Sequence, residues 1–386
     1  MKRAKKSNTR NALSWVSSLL LGITFIFSGI VKAIDPLGTT YKIQDYFTAF
    51  GTFFEQFNPL AFFLAITLST LEFVIGFSLF FRFKTKLFAI FALLFMIVMT
   101  PLTLYIAIEN PVQDCGCFGD AIVLSNWATF AKNIVLLALA ITLMYTLKNY
   151  HAFWIKPVEW IGIVVAVIIP VTISLYGYMH LPIIDFRPYK VGTNIAKSME
   201  IPADAAPDVY ETTFIYAKDG VEREFTLSDF PDESEGWMFI EQKTKLIKKG
   251  YEPPIHDFSI INAAGDDITF DVVEKQGFTF LLVAYDVNKA NTDFSEKINA
   301  ICELALFSDV DFYALTASVD EDIEKYSSLT NATYEWCKTD PITLKTIIRA
   351  NPGLVLIKDG TIVEKWNSRD IPSAKEMQEQ FLLQNN

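Results

Sequence analysis

The chain has 386 residues, of which 51% are hydrophobic and 20% charged, with 33 Phe and a mean hydropathy of +0.28. That balance excludes disordered and collagen-like classes and exceeds what one ordinary soluble core needs. Residues 1–180 hold 13 basic and 8 acidic side chains (net +5), and the remainder holds 20 and 36 (net −16). A basic, apolar front followed by an acidic back predicts a membrane domain joined to a soluble one. Such an acidic soluble part argues against nucleic acid as a partner, because phosphate binding requires clustered Lys and Arg.

Five apolar stretches, 13–34, 59–81, 87–108, 127–147 and 158–178, are long enough to cross a bilayer, which takes about 20 helical residues. Lys2, Arg3, Lys5, Lys6 and Arg10 precede the first, within a basic N-terminus of residues 1–12. A secretory signal would be shorter and would end in small residues. Arg82, Lys84 and Lys86 lie between spans two and three, and Lys148 and Lys156 between four and five. On the opposite side stands Lys42 among Asp35, Asp45, Glu55, Glu109, Asp114 and Asp120. The positive-inside rule then predicts a multi-pass inner-membrane protein with a cytoplasmic N-terminus, and 35–58, 109–126 and 180–386 outside the cytoplasm. All four cysteines fall on that outer, oxidising side, where disulfides persist.

The second outer loop reads Asn110-Pro111-Val112-Gln113-Asp114-Cys115-Gly116-Cys117-Phe118-Gly119-Asp120. Two cysteines separated by one glycine can bridge, but their small ring resists relaxed disulfide geometry, and a strained, exposed disulfide suits exchange. Cys115 and Cys117 are therefore a candidate catalytic redox pair. Two other readings stay open: a structural clip in a turn, and the start of a Cu(I) or Zn(II) site. The metal reading lacks ligands, since the outer histidines are His180 and His256 alone.

Cys115-Gly116-Cys117-Phe118-Gly119-Asp120 between spans three and four resembles the signature of the MauE branch of the DoxX-like membrane proteins. Phe27-Ser28-Gly29-Ile30-Val31-Lys32-Ala33-Ile34-Asp35-Pro36 at the end of span one and Leu71-Glu72 in span two are similar to that family as well. The resemblance covers residues 13–147. It implies a four-helix bundle, here extended by a fifth span over 158–179. It also implies a supporting role in maturing extracytoplasmic disulfide-containing proteins, and a membrane quinone as a cofactor.

Ionisable residues inside spans are costly and point to function. Glu72 lies ten residues before Arg82, roughly 15 Å from the inner surface, and Lys132 differs from it in depth by roughly 9 Å. Two arrangements follow: a Glu72–Lys132 pair beneath the cysteine loop, or an outward-snorkelling Lys132 above a protonated Glu72. Lys32, near the end of span one, is expected to snorkel.

Beyond residue 180 the pattern changes. Residues 182–208 hold four prolines and read as a linker or arm. Within the 180–253 region, 212–217 and 222–227 flank Lys218-Asp219-Gly220 as strand–turn–strand, and 237–249 has mixed, partly helical character without an assignment. Over 254–386 the order is a short strand (258–262), a buried strand (279–285) and a helix (294–307) with Ile298, Ile301, Leu304 and Phe307 on one face. A strand (311–315), two helices (320–328, 343–350), a hairpin (353–357, 361–366) and a closing helix (374–383) follow. This order resembles a thioredoxin-like α/β fold, with Pro352 where that family places its cis-proline. The family's redox pair follows the first long central strand; here the segment is Tyr285-Asp286-Val287-Asn288-Lys289-Ala290, with no cysteine. The domain is thus expected to bind or dock rather than to run dithiol chemistry. Cys302 and Cys337 have three possible states: a second disulfide, a relocated redox pair or buried thiols.

Two functions of different class follow. One is a membrane thiol–disulfide oxidoreductase or electron relay acting on an extracytoplasmic client through Cys115 and Cys117. The other is a non-catalytic scaffold whose degenerate thioredoxin-like domain binds the client. Metal handling by the same cysteines is a third. No phosphate-binding loop or Ser/His/Asp arrangement stands out, and three histidines offer few bases, which argues against hydrolysis and nucleotide-driven work.

Overall fold

A computed structural model describes residues 2–112, 114–147, 154–218, 220–227, 229, 231, 236–248 and 250–382; Lys148, Asp219 and Leu383 lie outside these, as do the side chains of residues 2–10. The chain opens with α1 (Lys2–Ile34), α2 (Pro36–Ala49), the short α3 (Thr52–Glu55), α4 (Ala61–Phe80), α5 (Thr85–Glu109), α6 (Asn126–Thr146) and α7 (Lys156–Met179). Five of these helices are long and apolar enough to cross a membrane: Asn11–Ile34, Asn58–Phe80, Thr85–Glu109, Asn126–Thr146 and Lys156–Met179. Their outward faces stay apolar, with Val16, Ile23, Leu94, Val98, Val135 and Ile168 exposed. Helices apolar all round require lipid as solvent. The protein is a multi-pass membrane protein.

Small residues set how the bundle closes. A Cβ at Gly29 of α1 would stand 2.5 Å from Phe73 N and 2.7 Å from Ser69 O of α4. One at Gly76 of α4 would strike the backbone of Ile26. The glycines therefore let α1 and α4 touch backbone to backbone, the geometry that membrane helices use when van der Waals packing must do the work. Leu21, Phe25, Phe73, Ile75, Ala92 and Leu136 fill the core so formed.

Past α7, residues 182–208 are not a free linker. Arg187 donates to Asp185 and to the Thr346 carbonyl; Lys365 donates to Asp185 and to the Tyr189 and Ile347 carbonyls. Tyr189, and Ile195 at the start of α8 (Ile195–Met199), enter the core of the following domain. Proline content misleads here because the arm's partners are remote in sequence. Burial draws the Lys365 ammonium down to about 8 despite Asp185, with Arg187 adding to the effect.

β1 (Val209–Lys218), β2 (Val221–Thr226) and β3 (Met238–Lys248) form a three-stranded antiparallel sheet, β2-β1-β3. Residues 238–248 are thus strand, although their pattern left 237–249 unassigned. After α9 (Thr269–Val273) come β4 (Phe278–Val283), α10 (Ser295–Phe307), β5 (Asp311–Thr316), α11 (Asp320–Thr330) and β6 (Glu335–Lys338). Then follow α12 (Pro341–Ile347), β7 (Gly353–Lys358), β8 (Thr361–Asn367) and α13 (Ala374–Met377). Their sheet runs β6-β5-β4-β7-β8, parallel across the first three strands and antiparallel across the last two pairs. This strand order, with helices α10, α11 and α12 between the strands, is a thioredoxin-like α/β architecture.

Alternation along β4 sends Leu281 and Val283 to one core and Phe280 and Leu282 to the other. Two expectations fail here. Residues 258–262 make only isolated bridges, Ile261 with Asp267 and with Lys338. Phe307 is 92% exposed, and α10 buries Ile298, Ile301, Cys302 and Ala305 instead. Cys302 and Cys337 sit buried in different cores on opposite faces of the sheet, an arrangement that fits the buried-thiol alternative and does not bring the two together. Burial raises both thiols, Cys337 to about 11.

Candidate functional site

The cysteine loop sits against one end of the bundle, and three elements hold it. α2 is capped by Asp35, whose Oδ1 accepts from Gly38 N, with Pro36 at its first position. Lys42 and Tyr46, one turn apart, face the loop. Lys42 Nζ pairs with Asp114 Oδ2 at 2.7 Å, and Tyr46 Oη donates to the Cys115 carbonyl at 2.8 Å. From α1, Ser28 Oγ lies 2.6 Å from the Cys117 carbonyl and 2.7 Å from Glu72 Oε2. Ser125 caps α6, which supplies Thr129, Lys132 and Asn126. Asn126 donates to Asn110 and to the Val112 carbonyl, tying down the loop's start.

Within the loop, Gly116 takes φ +62° and Gly119 φ +52°, left-handed angles that favour glycine. Gly116 N donates to Asp114 Oδ1, and Gly119 N to the Gly116 carbonyl. The turn brings the Cys115 and Cys117 sulfurs to 2.7 Å from each other. Thr129 Oγ1 and the Cys117 amide stand 3.5 and 3.3 Å from Cys115 Sγ.

The two thiols are unequal. The hydrogen bond shared with Cys117 lowers Cys115 to about 6 against the opposing effect of burial, helped by Thr129, the Cys117 amide and the Lys132 charge. The same bond raises Cys117, and burial and the Cys115 charge add to it. Cys115 is the more acidic of the two sulfurs and Cys117 the more deeply buried. For the reduced chain, the rate of Cys115 alkylation should climb as pH rises through about 6 and level off above it, following the thiolate fraction. A half-maximal rate at the ordinary thiol value of about 8.5 would contradict this asymmetry.

The membrane-embedded charges differ from expectation. Glu72 pairs with Lys32, not with Lys132: Lys32 Nζ lies 2.7 Å from both carboxylate oxygens and 3.1 Å from Ser28 Oγ. Lys32 therefore does not snorkel; it is buried, as is Glu72. Lys32 stands one turn beyond Ser28 on the face of α1 that Gly29 presses onto α4, so the two helices bring the charges together directly. Lys132 instead sits 4.2 Å above the Phe118 ring, a cation–π contact beside the cysteines. Tyr41, Lys42, Tyr46 and Arg349 were missed as site residues. Of these, Lys42 was visible in the sequence only as an outer-loop charge.

Comparison with known proteins agrees with the front half. Residues 10–146 match the model of the family described as "Methylamine utilisation protein MauE", and residues 210–249 match a domain of unknown function (DUF8463). No curated protein matches the chain. Among solved structures it is similar to the solution structure of a "putative protein disulfide isomerase from Bacteroides thetaiotaomicron". That likeness has 16% identity and a TM-score of 0.26, over 32% of this chain and 82% of that one.

Proposed function

We propose that this MauE-type membrane segment performs thiol–disulfide exchange on an extracytoplasmic client protein through Cys115 and Cys117. The observation that carries the reading is the turn holding a lowered-pKa thiol against a second, buried thiol. Cys115 thiolate attacks a client disulfide, forming a Cys115–client bond and releasing one client thiolate. Cys117 then loses its proton and attacks the Cys115 sulfur, releasing the second client thiolate. The client gains two electrons and the loop becomes a disulfide. The same steps in reverse oxidise a client dithiol. The distribution of basic residues supports an inner-membrane location with this loop outside the cytoplasm.

The electron partner on the membrane side is a quinone, a proposal that rests on the resemblance to MauE and DoxX-like proteins. Beside Cys117 a small cavity is lined among others by Phe25, Phe95, Met96, Met99 and Lys132, apolar side chains and one ammonium; a ring would need these side chains to move apart to enter. When bound, a quinone would take the two electrons and two protons that the loop gains in oxidising a client dithiol, and a quinol would supply them for client reduction. The chain's part is to hold Cys117 at the pocket wall and to place Lys132 beside it.

Redox titration tests the function. In native membranes equilibrated across a graded dithiothreitol series, alkylation and mass spectrometry should show Cys115 and Cys117 converting together and reversibly, while Cys302 and Cys337 stay reduced. A loop pair fixed in one state throughout would remove the exchange reading.

A further inference from the structure

The end of the α/β sheet where thioredoxin-fold enzymes carry their dithiol is turned onto the membrane domain. The loop after β4 and the cis-proline loop are joined there, with Asn351 Nδ2 donating to the Asp286 carbonyl and Asn291 N to the Asn351 carbonyl. Tyr285, at the position that precedes the missing dithiol, meets Tyr41 of α2 hydroxyl to hydroxyl at 3.3 Å. Lys345 lies over both rings, at 4.9 and 5.7 Å. Burial lowers its pKa, and Asp45 opposes that.

Arg349, between α12 and the cis-proline, makes the decisive contacts. It is buried; its Nε donates to Asp35 Oδ2 at 2.9 Å, its Nη2 to Asp120 Oδ2 at 3.1 Å, and its guanidinium lies 5.3 Å from the Tyr41 ring centre. A Cβ at Gly38 would stand 2.9 Å from Nη2, so glycine leaves the space this side chain needs. Asp35 caps the helix whose Lys42 and Tyr46 hold the front of the cysteine loop, and Asp120 lies three residues past Cys117. One guanidinium thus ties together both grips on the redox pair. Beside it a cleft stays open, lined by Leu37, Tyr178, Tyr285 and Asn351 among others. His180 with Asp370 and Asn367, and Tyr41 with Tyr285, also join the two parts, and Arg349 is the side chain that reaches both grips on the cysteine loop.

We propose that the thioredoxin-like domain works in cis as the positioning domain of the Cys115/Cys117 loop, docking through its former redox face with Arg349 as the positioning residue. This rests on the exchange reading given above. Thiols held in place reach a higher effective concentration than thiols on a loosened loop, so release of the clamp weakens the disulfide. Arg349→Gln in the full chain should shift the pair's equilibrium with dithiothreitol toward the dithiol by about tenfold, roughly 30 mV for a two-electron couple. It should also speed labelling of reduced Cys115 by a bulky maleimide. Asp120→Asn, which cuts one arm of the clamp from the membrane side, should shift the equilibrium the same way by less. Arg349→Lys should recover part of the loss, and Arg223→Gln on exposed β2 should change nothing. A wild-type equilibrium constant in both Arg349→Gln and Asp120→Asn would overturn the positioning role. If the wild-type pair does not cycle at all, the exchange reading fails instead. Maleimide access to Cys115 then decides the dock: faster labelling in both variants supports it and unchanged labelling overturns it.

Discussion

Cys117→Ser should accumulate a mixed disulfide between Cys115 and a client, whereas Cys115→Ser should accumulate none, and both should lose exchange altogether. The difference follows from the thiols' surroundings. Cys115 is held as thiolate by the hydrogen bond shared with Cys117 and by Thr129, the Cys117 amide and Lys132. Cys117 is the more deeply buried sulfur, with its pKa raised. In the proposed exchange Cys115, the more acidic and less buried sulfur, attacks, and Cys117 resolves what Cys115 forms. Serine at 117 cannot release the intermediate, because its hydroxyl stays protonated at neutral pH and does not attack a disulfide sulfur as a thiolate does. Non-reducing electrophoresis of membranes, followed by mass spectrometry of the shifted band, reads the outcome directly. Equal trapping by both variants would mean that the asymmetry around the loop does not set the order of attack. No trapping by either, with exchange retained, would return the loop to the role of a structural clip.

The spans and the cysteine loop were legible because each rests on local properties. Twenty apolar residues have one stable solution in lipid, and Cys-Gly-Cys needs no remote partner to bring its sulfurs close. The pairing of intramembrane charges was not legible. Counting residues from the membrane surface gives depth but not azimuth, so Glu72 could be matched to Lys132 by height while α1 had already placed Lys32 against it. α2 was hidden for a related reason: residues 35–58 were read for charge, which gives the side of the membrane and says nothing of a helix aiming Lys42 and Tyr46 at the loop. In the α/β part, buried β4 and β7 were recognisable from apolar runs. β3, exposed along its length, has no inward face to mark its period, and β6, four residues long, is too short to show one. Arg349 could not be found at all, since its carboxylate partners lie 314 and 229 residues away. What the sequence conceals is in each case a contact between elements rather than an element.

The largest stability effect should come from the Lys32–Glu72 pair. Both side chains are buried within the bundle, joined to each other and to Ser28. Lys32→Met or Glu72→Leu alone should destabilise the membrane domain by about 3–5 kcal/mol, because each leaves a lone charge without water or counterion. Lys32→Met combined with Glu72→Leu removes both desolvation costs and the attraction that offset them. The double variant should therefore regain most of the loss, an interaction energy of a sign and size that independent sites do not show. Thermal midpoints of the full chain in one detergent, measured for wild type, both single variants and the double, complete the cycle. Additive losses would mean that water reaches the pair and screens each charge separately. Recovery in the double variant would show that α1 and α4 meet in a dry contact. There Lys32 and Glu72 need each other, and the carbonyl of Cys117 is held through Ser28 by the same buried group of charges.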